Sequence, residues 1–168
     1  MNIVGPKLET AANIAIIVVA ILLGAVIIQK YLLPSSSQPQ RAAPVIGKQM
    51  NLSDINWASQ PKTLVLALST TCQFCNESAP FYRRLIENVK DKNIKLVAVF
   101  PTNAEEGRAH LKELGLSDIE VKQSPLANMQ VSGTPTLILT NEKGEVTNYW
   151  VGKLQPERET DVLNKLNS

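Results

Sequence analysis

Two cysteines stand three apart in Thr71-Cys72-Gln73-Phe74-Cys75, and they are the only two in the chain. The thiolate is the reactive form of cysteine, and a free thiol ionises only near pH ~8.5, so a useful sulfur needs surroundings that favour its charge. The apolar run TLVLAL at 63–68 precedes the pair. An amphipathic pattern follows it, with Ala79, Tyr82, Leu85, Ile86 and Val89 recurring at helical spacing. Cys72 is therefore expected at a strand-to-helix junction, where unpaired backbone N–H groups and the helix dipole favour negative charge. That setting is expected to lower its pKa and leave its sulfur free to attack. Cys75, one turn further on, is in range to attack the resulting mixed disulfide from within. The chemistry is thiol–disulfide exchange, with Cys72 as nucleophile and Cys75 as resolving thiol.

Other uses of the same residues compete with this one. A structural staple across so short a ring restricts the unfolded chain by only ~2 kcal/mol, and staples are better placed across longer loops. Two cysteines and one histidine, His110, fall short of a tetrahedral zinc set, so no metal is expected, and His110 reads as one residue of an amphipathic helix. A peroxidase would want a threonine three residues before the reactive cysteine and a proline further upstream; Ser69 and Val65 stand there. Glu77 reads either as a proton carrier for the thiols or as a solvated first-turn acid complementing the helix dipole. Trp57, Tyr149 and Trp150 read as packing residues, and the triplets starting at Asn51 and Asn76 as incidental glycosylation matches.

The elements that must position the pair follow from the patterning. The chain has 168 residues, 44% apolar and 19% charged, with net charge +2, which suits one folded domain with a modest appendage. So even a charge balance argues against nucleic acid as a partner. Strands are expected at 63–68, 94–100 (IKLVAVF), 119–122, 136–140 (TLILT) and 146–151 (VTNYWV), with a hairpin turn at 141–144. Pro80 should kink the helix after the cysteines. Thr102 and Glu105 form a capping box for a second helix, whose inner face carries Ala104, Gly107, Leu111 and Leu114 and which Gly115 ends. A last helix starts near Pro156. Strand, helix, strand, helix, hairpin, helix is the order of an α/β domain: a central mixed sheet flanked by helices.

Ahead of that domain, residues 11–28 (AANIAIIVVAILLGAVII) hold one polar side chain, Asn13, and the apolar character extends to Leu33. About 20 helical residues span a bilayer core, so 11–33 reads as a transmembrane anchor, with 1–10 as a short flank. Residues 34–44 form a proline-punctuated linker, and 45–168 the folded domain. The run is longer than the apolar region of a cleaved signal peptide. Flanking charge alone (Lys7 on one side, Lys30, Arg41 and Lys48 on the other) leans toward a cytoplasmic domain.

Residues 62–85 resemble the active-site strand and helix of the thioredoxin superfamily. Pro80 matches the family's helix-kinking proline, and Val131-Ser-Gly-Thr-Pro135-Thr resembles its cis-proline loop. The segments Pro44-Val-Ile-Gly47, Met50-Asn-Leu52 and Gly152-Lys-Leu154 are similar to the membrane-anchored TlpA and ResA type. The resemblance implies a thioredoxin-like fold behind one N-terminal transmembrane helix, a cis Pro135 packed against the thiols, and Thr134 pairing with substrate through its backbone. Thr71, Gln73 and Phe74 would line the motif. It also implies a protein disulfide reductase on the periplasmic side of the cytoplasmic membrane, which could serve cytochrome c maturation. Its partners would be protein thiols and disulfides and a membrane electron donor of the DsbD type; its redox centre would be the Cys72–Cys75 disulfide, with no separate cofactor. Two departures stand out: Thr71 replaces the family's tryptophan, and Leu66 replaces the buried acid of thioredoxins. A non-catalytic assembly or chaperone module, and a peroxiredoxin-like peroxidase, remain as alternatives.

Overall fold

The computed structural model describes residues 14, 16–23 and 43–168. The chain divides into two units, Met1–Gln40 and Arg41–Ser168. In the first, residues 14 and 16–23 are helical and their large apolar side chains are exposed. The flank expected at 1–10, most of the anchor expected over 11–33 and most of the linker at 34–44 lie outside the described residues. No helix among the described residues is long and apolar enough to cross a membrane.

In the second unit, runs of leucine and β-branched residues form five strands: β1 Lys62–Ala67, β2 Ile94–Phe100, β3 Glu120–Gln123, β4 Thr136–Asn141 and β5 Val146–Val151. They make one mixed sheet in the order β3-β2-β1-β4-β5. β1, β2 and β3 run parallel, while β4 is antiparallel to β1 and to β5. This is the expected thioredoxin-like α/β architecture. β1 is central, its interior residues buried on both faces, which is why its sequence is continuously apolar and not alternating.

Four helices accompany the sheet: α1 Gln73–Glu77, α2 Ala79–Val89, α3 Ala104–Glu113 and α4 Pro156–Asn167. The two parallel crossovers step in the same direction across the sheet, and right-handed connections then put both sets of helices on one face. Leu85 of α2, Leu111 of α3 and Val162 of α4 accordingly share one core with Leu64, Leu66 and Leu137 of the sheet. The opposite face, with Val65, Val97 and Ile138, is covered by Met50, Leu52 and Ile55 and by Met129 of a short 3-10 turn. Flanking is therefore uneven, with the α-helices on one side only.

Two local expectations change and a third holds. Pro80 does more than kink the helix: the helix breaks at Ser78, because Pro80 has no N–H to give the Asn76 carbonyl. The second helix is capped one residue later than expected. Asn103, in extended conformation, accepts the Glu105 N–H at 2.7 Å through Oδ1, so Thr102 is not the cap. The tryptophans pack, as expected: Trp150 is buried with its Nε1–H donated to Asp161 at 2.7 Å, and Trp57 lies against Gly144, the left-handed residue of the β4–β5 turn.

Gly107 has a packing reason. A Cβ there would stand 2.6 Å from the ring of the buried Phe100. Alanine in a helix gains about 1 kcal/mol over glycine, but overpacking a filled core costs about 1–3 kcal/mol. Because Phe100 is closed in on all sides, the clash should win. Gly107→Ala is expected to lower the urea midpoint of unfolding; an unchanged or higher midpoint would mean that the Phe100 ring can yield.

Candidate active site

The site forms where the carboxyl end of β1 meets the amino end of α1, beside the loop entering β4. Cys72 is the N-cap of α1, with extended backbone (φ −87°, ψ 108°). Its Sγ accepts the Cys75 N–H at 3.2 Å, so the sulfur does what a serine or aspartate oxygen does at other helix starts. On its other side the Cys72 thiol donates to the Thr134 carbonyl at 3.3 Å. The Thr134–Pro135 peptide is cis, as the resemblance implied, and Thr136 steadies the loop by donating its hydroxyl to the Gly133 carbonyl at 2.8 Å.

Both cysteines are present as free thiols, Cys72 partly exposed and Cys75 buried. Burial pushes the Cys75 thiol up to about 12; the hydrogen bond and charge of Cys72 push the same way, while the Ser69 backbone and the Thr134 hydroxyl pull against them. Cys75 is thus the protonated, inner member of the pair. Beneath it the sheet offers no charge: Leu66 on β1 pairs with Ala98 on β2 and Leu137 on β4, all buried. The position where thioredoxins keep an acid is apolar here.

The other motif residues lie on the rim. Phe74 is 56% exposed, and Thr71 is exposed with its hydroxyl 3.2 Å from that of Ser69. Gln73 donates to Glu77 at 2.8 Å, and Lys153, in the loop after β5, pairs with the other Glu77 oxygen at 2.7 Å. Glu77 therefore ends α1 instead of lying in the first turn of the helix, and these hydrogen bonds hold its carboxyl below the usual range. An acid so paired and so placed is not the thiols' proton carrier. His110 of α3 reaches Asn76 of α1 at 2.8 Å. Among the described residues no cluster of three or more metal-ligating side chains occurs.

The structure thus brings Cys72, Cys75, Thr134 and Pro135 together and leaves Thr71, Gln73 and Phe74 at the margin. Two contributors had no local signature. Lys153 lies 76 residues from its partner Glu77. Tyr82 fits a core position by its spacing alone, yet its hydroxyl is buried without a partner.

The Redoxin family profile matches residues 32–166. No curated protein matches the sequence. Among solved structures, a Chlorobium tepidum protein assigned as the thiol:disulfide interchange protein DsbE aligns at 20% identity and TM-score 0.54, covering 76% of this chain and 92% of that one. The thioredoxin domain of a thiol-disulfide oxidoreductase from Bacteroides vulgatus aligns at 17% identity and TM-score 0.55, with coverages of 76% and 96%. StoA from Bacillus subtilis aligns at 18% identity and TM-score 0.53, with coverages of 76% and 99%. At these identities the likeness is one of fold.

Burial separates the two thiols, and it holds the proton on Cys75. Iodoacetamide at pH 8 should alkylate Cys72 and leave Cys75 of the folded protein unmodified, read by peptide mass spectrometry. Equal labelling of both would contradict the inner, protonated assignment of Cys75.

Proposed function

Because the chain belongs to the Redoxin family, we propose that it is a thiol–disulfide oxidoreductase whose reacting atoms are the sulfurs of Cys72 and Cys75. The observation that carries this reading is the placement of Cys72 Sγ. It caps a helix through the Cys75 N–H and faces the Thr134 carbonyl beside the cis bond. The Cys72 thiolate attacks one sulfur of a substrate disulfide, a Cys72–substrate S–S bond forms, and the other substrate sulfur leaves and takes a proton. The Thr134 carbonyl, no longer engaged by the Cys72 thiol, can then pair with substrate backbone. Cys75 attacks Cys72 in turn, which closes the Cys72–Cys75 disulfide and releases the reduced substrate.

The finer parts of the reading rest on the sequence. The apolar run at 11–33 would tether the domain to the cytoplasmic membrane through the linker at 34–44, with 45–168 on the periplasmic side. There it would act as a reductant of protein disulfides, recharged by a membrane donor of the DsbD type, with cytochrome c maturation as the candidate pathway. Direction follows from the TlpA and ResA resemblance, since thioredoxin-fold couples span from ~−270 to ~−120 mV.

Reduced protein should turn over insulin disulfides, and Cys72→Ser should abolish that turnover. If the unsubstituted protein is as inert as the variant with several reductants, the non-catalytic module becomes the better account. Cys75→Ala should accumulate mixed disulfides through Cys72, seen as dithiothreitol-sensitive adducts on non-reducing gels. A membrane-impermeant maleimide should label Cys72 in intact cells with a permeabilised outer envelope; labelling only after lysis would overturn the periplasmic assignment.

A further inference from the structure

Among the described residues, two buried side-chain polar atoms have no hydrogen-bond partner: the hydroxyls of Thr63 and Tyr82. Thr63 stands near the far end of β1 from the cysteines. Tyr82 belongs to their surroundings. Cys75, Ala79 and Tyr82 are spaced four and three apart, and all three are buried in one core. Helical side chains lean toward the amino end of their helix, which carries the Tyr82 ring back from α2 toward Ser78 and Cys75. The Ser78 hydroxyl, which donates to the Phe74 carbonyl at 2.7 Å, is close enough to lower the Tyr82 phenol but makes no hydrogen bond to it of normal geometry.

A buried hydroxyl without a partner is less favourable than the bare ring in the same place. Phenylalanine would fill this core at lower cost, so the oxygen calls for a use. We propose that the Tyr82 hydroxyl is an internal hydrogen-bond donor, which the Cys75 sulfur engages when it becomes a thiolate and attacks the mixed disulfide on Cys72. The idea rests on the exchange chemistry proposed above and adds a positioning residue to it.

The electrostatics agree in sign. Burial, and then the charge of Cys75, raise the Tyr82 phenol above its ordinary value, with Ser78 lowering it somewhat and Cys72 raising it again. A phenol held neutral donates and does not act as a base. Part of what holds the proton on Cys75 comes from the hydrogen bond and charge of Cys72, and both vanish once Cys72 is tied up in a mixed disulfide. What remains is burial, which a donor offsets. The groups that act on Cys75 are Cys72 on α1, the Ser69 backbone and the Thr134 hydroxyl, and the charge of Cys75 acts in turn on Tyr82; Leu66 and Ala98 of the sheet contribute no charge, and Glu77, Lys153 and His110 belong to the rim. The step balances without a further reactant. Cys75 loses its proton, its sulfur bonds to Cys72 Sγ, the Cys72–substrate bond breaks, and the departing sulfur takes the electron pair and then a proton. Tyr82 keeps its own proton throughout.

Ellman's reagent separates the two steps, because Cys72 releases one thionitrobenzoate on forming the mixed disulfide and Cys75 releases a second on resolving it. In the full chain in detergent, Tyr82→Phe should leave the first phase unchanged. The second should slow about tenfold at pH 7, with its pH profile displaced upward by about one unit. Thermal stability should stay the same or rise, since an unpartnered hydroxyl is removed. A 3-fluorotyrosine introduced at position 82, a stronger donor, should displace the profile downward. An identical second-phase profile in Tyr82→Phe, or a parallel slowing of both phases, would overturn the role of Tyr82. Absence of a second phase in the unsubstituted protein would instead overturn the exchange chemistry on which it rests.

Discussion

One contact organises this domain: the Cys72 sulfur in the capping position of a five-residue helix, receiving the Cys75 amide. A helix of that length has no stability of its own, because nucleation costs more than a single turn returns. It exists because its surroundings hold it. β1 delivers Cys72 from the centre of the sheet, Pro80 ends the hydrogen-bond ladder behind it, and Ser78 ties its last turn to the Phe74 carbonyl. The cis peptide before Pro135 brings a carbonyl to the opposite side of the sulfur. Each constraint is local and weak, and together they leave the sulfur one position.

The division of labour between the thiols follows from depth. Cys72 meets solvent and Cys75 does not. The core beneath them is leucine, alanine and a tyrosine ring, without a carboxylate or an ammonium. In a low-dielectric setting this holds the inner thiol protonated, and in the proposed exchange that would order the two half-reactions in time. The uneven covering of the sheet serves the same end. The helical face carries both cysteines, and the other face is closed by a short chain segment and a 3-10 turn.

Much of this was legible in the residues. The strand–CxxC–helix order needs only hydrophobic period and one pair of cysteines. β2 and β5 fall on the residues their patterns indicated, and Pro156 begins its helix as first-position prolines do. The cis bond was legible by family likeness alone, since nothing in Thr134-Pro135 itself selects that isomer. What stayed hidden was long-range. Thr102 looked like a cap because it stands three before a glutamate, but the chain enters the helix one residue later and Asn103 takes the task. Glu77 looked like a first-turn acid, but with Cys72 as the N-cap it is the fifth and last residue of its helix. Tyr82 fitted an apolar stripe, and only the packed core reveals that its oxygen is stranded.

The pairing of Glu77 with Lys153 has a consequence of its own. It joins the redox helix to the loop after β5 across an exposed gap, and Asn76 with His110 makes a second tie from α3. Exposed ion pairs loosen as salt accumulates. A visiting protein that offers its own carboxylate to Lys153 would unfasten the helix from that loop on arrival. The ionic make-up of the visitor, and of the medium, thereby becomes a dial on how firmly the outer sulfur is held.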